Sequence, residues 1–356
     1  PSFATAAGSL GSLFQGATDF SGLSSAAATD ADGTTVTHSI ASGTVPTGMS
    51  FASNGTWSGT ANAANTYNFT VSATDGVNTV TRAFSIVVAL PVYMEATGGT
   101  ITTDGDYKVH TFTSSSNFVV THTGTDSTYG TKVEYLVVGA GGGGGSSHAG
   151  GGGAGGYRHN SAYDMTVSVA TYAVVVGGEV GTNTSGGVSS AFGIESAGGG
   201  HGGSHSGGTN AGAAGGSGGG GGSYPGSFSG GAGNSPSVSP SQGNSGGGGG
   251  CCGPNYGAGG GGGASASGGG GSSSAPGVGG NGSSNDIHGS ARTYSAGGGA
   301  HGHHSTSTAG GSGGLGGSSA SGSAGGRNVA NNYGMGGGGQ QNNQSQGVVI
   351  VRYKFQ

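Results

Sequence analysis

The run Gly139-Ala-Gly-Gly-Gly-Gly-Gly145 opens a 209-residue stretch that closes at Gly347 and holds 78 of the chain's 93 glycines. Further runs, such as Gly246–Gly250 and Gly259–Gly263, recur through it. Each Gly costs about 1 kcal/mol against Ala inside an α-helix, so no α-helix is expected here. Glycine also has no side chain to bury in a conventional core. Composition alone reads as a flexible linker, but the flanks argue for order. Lys132-Val-Glu-Tyr-Leu-Val-Val138 precedes the stretch and Val348-Val-Ile-Val-Arg-Tyr-Lys-Phe355 follows it. Both have strand length and the β-branched and aromatic content of a half-buried sheet. Pinning both ends in one sheet makes the glycine body an ordered insertion. Glycine chains order as polyproline-II-type helices, left-handed with three residues per turn, held together by backbone amides and Cα–H···O contacts. Collagen does not fit, because there is no Gly-X-Y register and the whole chain has 8 prolines.

The remaining composition sets broad limits. The 356 residues allow two or three domains. With 6% charged residues and a net charge of −5, no nucleic-acid partner is expected, since phosphate neutralisation needs a basic surface. No run is apolar and long enough for a membrane helix. A start at Pro1 rather than Met points to processing or to a longer parent polypeptide. Low charge with abundant Gly, Ser, Thr and Asn suits an extracellular β protein better than a cytosolic enzyme.

The expected fold class is all-β. Residues 1–90 read as one small β-sandwich. In Tyr67–Asp75, Tyr67, Phe69, Val71 and Ala73 alternate with polar residues; after a turn at Gly76, Phe84, Ile86 and Val88 supply the matching face. Residues 91–196, completed by 347–356, read as a second β-sandwich. Its expected strands lie at 99–102, 107–112, 117–122, 132–138, 164–169, 171–176, 189–194 and 348–355. Residues 197–346 then form the glycine-rich insertion of packed, left-handed helices with three residues per turn, whose connecting loops are the expected contact region.

The glycine runs are punctuated by segments such as Tyr224-Pro-Gly-Ser-Phe228 and Cys251-Cys-Gly-Pro-Asn-Tyr256. If the runs are stacked helices, these segments are the turns at their ends. Taken singly they read as ordinary polar turns. As a set, their aromatic and small polar residues resemble the contact chemistry of antibody paratopes. The candidate contact residues are Tyr224, Phe228, Tyr256, His288, Tyr294, His301, His303, His304 and Tyr333.

Other motifs carry less. Gly139–Gly144 matches a dinucleotide fingerprint in letters only, because no helix can follow it to face a pyrophosphate. Gly215-Gly-Ser-Gly-Gly219 and Gly310-Gly-Ser-Gly-Gly314 match a hydrolase elbow by composition alone. His301, His303 and His304, with His201 and His205, lack metal-ligand spacing, so no metal or other cofactor is expected. Asp30-x-Asp32 supplies too few oxygens for calcium and reads as an Asx turn. The acids of the glycine-rich stretch, Asp164, Glu179, Glu195 and Asp286, are too dispersed for a glycosidase pair. Cys251-Cys252 reads as either a strained vicinal disulfide or two quiet thiols, with an extracellular setting favouring the disulfide.

Two resemblances add to this. Asp30-Ala-Asp-Gly33, Ser42–Ser50, Asn54-Gly-Thr-Trp-Ser-Gly-Thr60 and Thr66–Asp75 look like the He-PIG, cadherin-related immunoglobulin-like module, with Trp57 where the family usually has an aliphatic residue. Gly98–Phe112, Val133–Gly142, Gly151–Arg158 and Gly347–Phe355 resemble the glycine-rich domains of tailed-phage fibre proteins. The long middle is similar in composition to the fibre-tip adhesins of T-even-type phages, which present variable loops on packed polyglycine-II helices. The resemblance implies a non-enzymatic, receptor-binding adhesin on the distal tail fibre of a virion. Its expected partners are a bacterial outer-membrane protein or surface glycan and other tail-fibre subunits; a homotrimer is left open. A bacterial surface adhesin or matrix filament protein is the alternative.

Overall fold

In a computed structural model, which describes residues 1–126, 129–205, 209–253, 256–302, 333–340 and 344–356, the chain divides into two compact units, Pro1–Val92 and Tyr93–Gln356. The described residues are all-β, without α-helix.

The first unit is a small β-sandwich. Its strands are β1 (Ser2–Phe3), β2 (Gly8–Phe14), β3 (Ala28–Thr29), β4 (Thr37–Gly43), β5 (Met49–Phe51), β6 (Trp57–Gly59), β7 (Asn65–Thr74) and β8 (Thr79–Ala89). A four-stranded sheet runs in the order β2-β8-β7-β4, with β2 parallel to β8 and the other pairs antiparallel. Tyr67, Phe69, Val71 and Ala73 are buried with Phe84, Ile86 and Val88, so the alternation read from the sequence is the core face. Trp57 packs against Phe51 and Phe69, with ring centroids 4.6 and 5.6 Å away. Asp30 and Asp32 make successive Asx turns: Asp30 Oδ1 accepts the Asp32 N–H and Asp32 Oδ1 accepts the Thr34 N–H.

The second unit joins a sandwich to the glycine-rich body. Its strands are β9 (Glu95–Thr97), β10 (Thr100–Asp104), β11 (Tyr107–Phe112), β12 (Ser116–His122), β13 (Lys132–Val138), β14 (Tyr157–Thr166), β15 (Ala170–Val174), β16 (Ser189–Ala191), β17 (Ile194–Ser196), β18 (Ser283–Asn285), β19 (Arg292–Tyr294) and β20 (Val348–Lys354). The five-stranded sheet β10-β11-β20-β13-β14 faces the three-stranded sheet β15-β12-β9, across a core that includes Phe112, Phe118, Val133, Tyr135, Val351 and Tyr353. The two strands flanking the glycine stretch, β13 and β20, are paired with each other: Val138 lies opposite Val348.

Three expectations change here. The flanking strands are buried on both faces, not one: Leu136, Val138, Val348 and Ile350 pack with Ile287 and Tyr294 on the second face. That cover is the β18–β19 hairpin, which the surrounding glycines hide in the sequence. The segment 189–194 is not one strand; it reverses at Phe192-Gly193, where φ is +54° and +75°, and β17 returns along β16. Strand β14 begins at Tyr157, earlier than expected, because Val138, Val137 and Leu136 pair with Tyr157, Arg158 and His159.

The glycine runs pack as three-residue-per-turn helices, and the hydrogen bonds give the period. Gly150, Gly153 and Gly156 donate to Gly203, Gly200 and Ala197; Gly151 and Ala154 donate to Gly259 and Gly262; Gly152 and Gly155 donate to Gly337 and Gly334. Residues three apart thus address the same neighbour, and successive residues address three different ones. The same segment accepts from Gly139, Gly142 and Gly145, from Ser217 and Gly220, and from Gly298 and His301. Helix 149–156 therefore has six neighbours in a hexagonal array. Residues 182–187 also join it, through Gly143 N–H to Thr184 O and Ala140 N–H to Gly187 O. With no side chains between them, the backbones supply both the contacts and the hydrogen bonds that a buried chain must satisfy.

Candidate functional site

Chain direction defines the two ends of the glycine bundle. Helix 139–145 leaves β13 and helix 149–156 returns to β14, so the turn between them lies at the end remote from the sheet. Hydrogen bonds carry this end across the array: Gly145 to Gly150, Gly150 to Gly203, Gly203 to Gly220, Gly221 to Gly247 and Gly250 to Gly257. The turns at 146–148, 223–228 and 251–256 consequently share the far end.

Four rings from four far-end segments meet there. His148 stacks on Tyr224 with ring centroids 4.9 Å apart and an interplanar angle of 25°. His205 stands edge-on to both, at 5.7 and 4.8 Å. Tyr256 closes the group, 6.1 Å from His148 and 5.6 Å from Tyr224. Edge-to-face and offset contacts at such distances are the favoured aromatic geometries. Backbone bonds tie the turns together: Ser223 N–H donates to His148 O, His205 N–H donates to Ser147 O, and Ser223 Oγ donates to Tyr256 O. Beside them, Asn183 Nδ2 bonds Ser146 Oγ, which also pairs with Ser204 Oγ. His148 is buried, whereas Tyr224 is 38% exposed and His205 is exposed as well, so the cluster presents a phenol and an imidazole on an organised base.

The sequence-based candidates separate into three groups. Tyr224, Phe228, Tyr256 and His301 lie at the far end. Phe228 is half-buried, with its carbonyl accepting Gly249 N–H, and His301 N–H bonds Ala149 O. His288, Tyr294 and Tyr333 lie at the opposite end and are corrected here. Tyr294 is fully buried against the sheet, and its hydroxyl meets His288 Nδ1 at 2.8 Å. His288 Nε2 meets Thr111 Oγ1 at 3.0 Å, and Tyr333 packs on the same core. Tyr294 is thus core, and the half-buried His288 and Tyr333 pack beside it around the β18–β19 hairpin. His303 and His304 lie outside the described residues. The sequence reading missed His148, and it weighed His205 only as a metal ligand. An isolated histidine in a glycine run gives no sign of the ring it will stack on.

Cys251 and Cys252 are exposed free thiols, not the expected disulfide. The hydrogen bonds from Cys252 and Ser227 hold the Cys251 thiol below its ordinary range. Among the described residues no three His, Cys, Asp or Glu side chains gather as a metal site.

Residues 113–354 match the glycine-rich domain family. The chain belongs to that family. Residues 12–89 match the He-PIG family of Ig domains, and no curated protein matches the chain. An Ig-like module followed by a glycine-rich domain fits a fibre- or adhesin-like protein.

Proposed function

We propose that this chain is the receptor-binding protein of a tailed-phage tail fibre, a non-enzymatic adhesin that sits at the distal, extracellular end of the virion's fibre. The far-end turns bind a bacterial outer-membrane protein or surface glycan. The observation that carries this reading is the meeting of His148, His205, Tyr224 and Tyr256 from separate turns at the end of the bundle remote from the sheet. A hydrogen-bonded base of this kind lowers the ordering cost of binding. Tyr and His present large amphipathic surfaces with few rotatable bonds. The turns at 146–148, 223–228 and 251–256 contain no Asp or Glu, which suits contact better than acid–base chemistry.

The test is adhesion of the purified chain to a panel of bacteria, with 223–228 and 251–256 each replaced by Gly/Ser. Adhesion to some strains, lost with either replacement while the thermal transition is kept, supports the reading. A folded chain that binds no cell, or replacements without effect, overturns it in favour of a structural filament protein.

A further inference from the structure

A second surface lies away from the far-end turns, along the outer edge of the β16–β17 hairpin. Val175 exchanges both backbone hydrogen bonds with Ser190, each 2.9 Å. Ser190 therefore spends its N–H and C=O on the β15 side. Its partner across the hairpin, Glu195, sits at a non-hydrogen-bonded position, so the Glu195 N–H and C=O point away from β16. No other described strand pairs with β17. One donor and one acceptor, spaced as a neighbouring strand would take them, are left at an open edge.

That edge lines a cavity of about 390 Å³, within the size range of ligand sites. Ile194, Val238 and Pro236 give it apolar walls, and its charged lining residues are Arg158 on β14, which contributes a guanidinium, and Glu195 on β17. The Arg158 backbone pairs with Val137 on β13, and its side chain has no hydrogen-bonded or ion-paired partner among the described residues. The far wall is held in place independently. The buried Gln242 accepts Ala197 N–H at 2.8 Å and donates to Pro236 O at 2.9 Å, while Asn234 bonds both backbone groups of Val238.

We infer that this cleft binds an extended acidic peptide segment, which adds to the β17 edge through the Glu195 backbone and gives its carboxylate to Arg158. A sugar acid would satisfy Arg158 but has no use for a strand-spaced N–H and C=O. A peptide satisfies both, and its aliphatic neighbours fill the walls. The site does not depend on the receptor-binding reading.

The test uses the full chain with the peptide acetyl-Val-Asp-Val-Thr-amide, its Asp-to-Asn counterpart, and glucuronate. Calorimetry measures affinity, and hydrogen exchange follows the Glu195 amide. The Asp peptide should bind the native chain about tenfold tighter than Arg158→Gln, a difference of about 1.4 kcal/mol. It should also slow exchange at Glu195 about tenfold, and the Asn peptide should not distinguish the two proteins. The 223–228 replacement should bind the Asp peptide as the native chain does, so failure here and failure of adhesion are told apart. Absence of peptide binding at millimolar concentration, equal affinity for Arg158→Gln, binding of glucuronate instead, or a Glu195 amide already protected in the free chain would each overturn the inference.

Discussion

A Cβ placed on Gly152 would lie 2.0 Å from the carbonyl oxygen of Gly142. The neighbouring helix occupies the space that any side chain would need, and the contact is backbone to backbone, so no rotamer can relieve it. Gly152→Ala should therefore push the 139–145 helix away, since the added Cβ also lies 2.9 Å from the Gly143 carbonyl oxygen. Overpacking of this kind costs at least about 2 kcal/mol, read as a lowered thermal midpoint. Gly226→Ala, where nothing lies within 4 Å, should stay within about 0.5 kcal/mol of the native chain.

Glu134 is 1% exposed and is held by Arg352 Nε at 2.6 Å and His159 Nε2 at 3.0 Å. Burial alone would raise its pKa, but the His159 hydrogen bond and the Arg352 charge outweigh it and hold the carboxyl below its ordinary 4.5. With the folded value depressed, this stabilisation is present above 4.5 and is lost as pH falls through the folded value. Glu134→Gln should cost about 3 kcal/mol near neutral pH by leaving Arg352 with only the more exposed Asp104 carboxylate, 3.7 Å away, as counter-charge. It should also flatten the acid limb of a stability–pH curve measured by urea unfolding.

His288 titrates in a different window. Burial, then repulsion by Arg292, pushes its imidazole from the ordinary 6.5 down to about 4. Between those values the unfolded chain takes up a proton that the folded chain refuses, so stability declines as pH drops from 6.5 towards 4. Urea midpoints for His288→Gln should show a shallower decline, with the remainder left to His110, which burial also holds below 6.5, and should keep the one below it that belongs to Glu134.

The free thiols give a chemical check on the far end. With its thiol held low by Cys252 and Ser227, Cys251 should react with iodoacetamide before Cys252, whose thiol is pushed up by Cys251. Peptide mapping after brief labelling distinguishes the two. Recovery of a Cys251–Cys252 disulfide with no labelled thiol would contradict the arrangement described.

Much of the architecture could be read from short-range patterns. Tyr67, Phe69, Val71 and Ala73 alternate because one face of β7 is buried, and that period survives in the sequence. The run Val133–Val138 announced a strand, but it could not say that Ile287 and Tyr294, about 150 residues away, would cover its second face. A three-residue hairpin arm such as Ser283–Asn285 is too short to carry a period. Tyr294 and Tyr224 looked alike as aromatic interruptions among glycines, yet one is core and the other surface.

By itself the sequence determined the all-β class, the two-module order and the three-residue-per-turn glycine helices, because these follow from residue-level propensity and from glycine's missing side chain. Only the tertiary structure decided which turns share an end, and hence that His148, His205, Tyr224 and Tyr256 meet while His288, Tyr294 and Tyr333 are spent on the scaffold. The physical reason lies in the glycine itself. A polyglycine helix has no side chains to mark its neighbours or its register, so position in the array is set by backbone hydrogen bonds between distant segments, which leave no trace in local sequence.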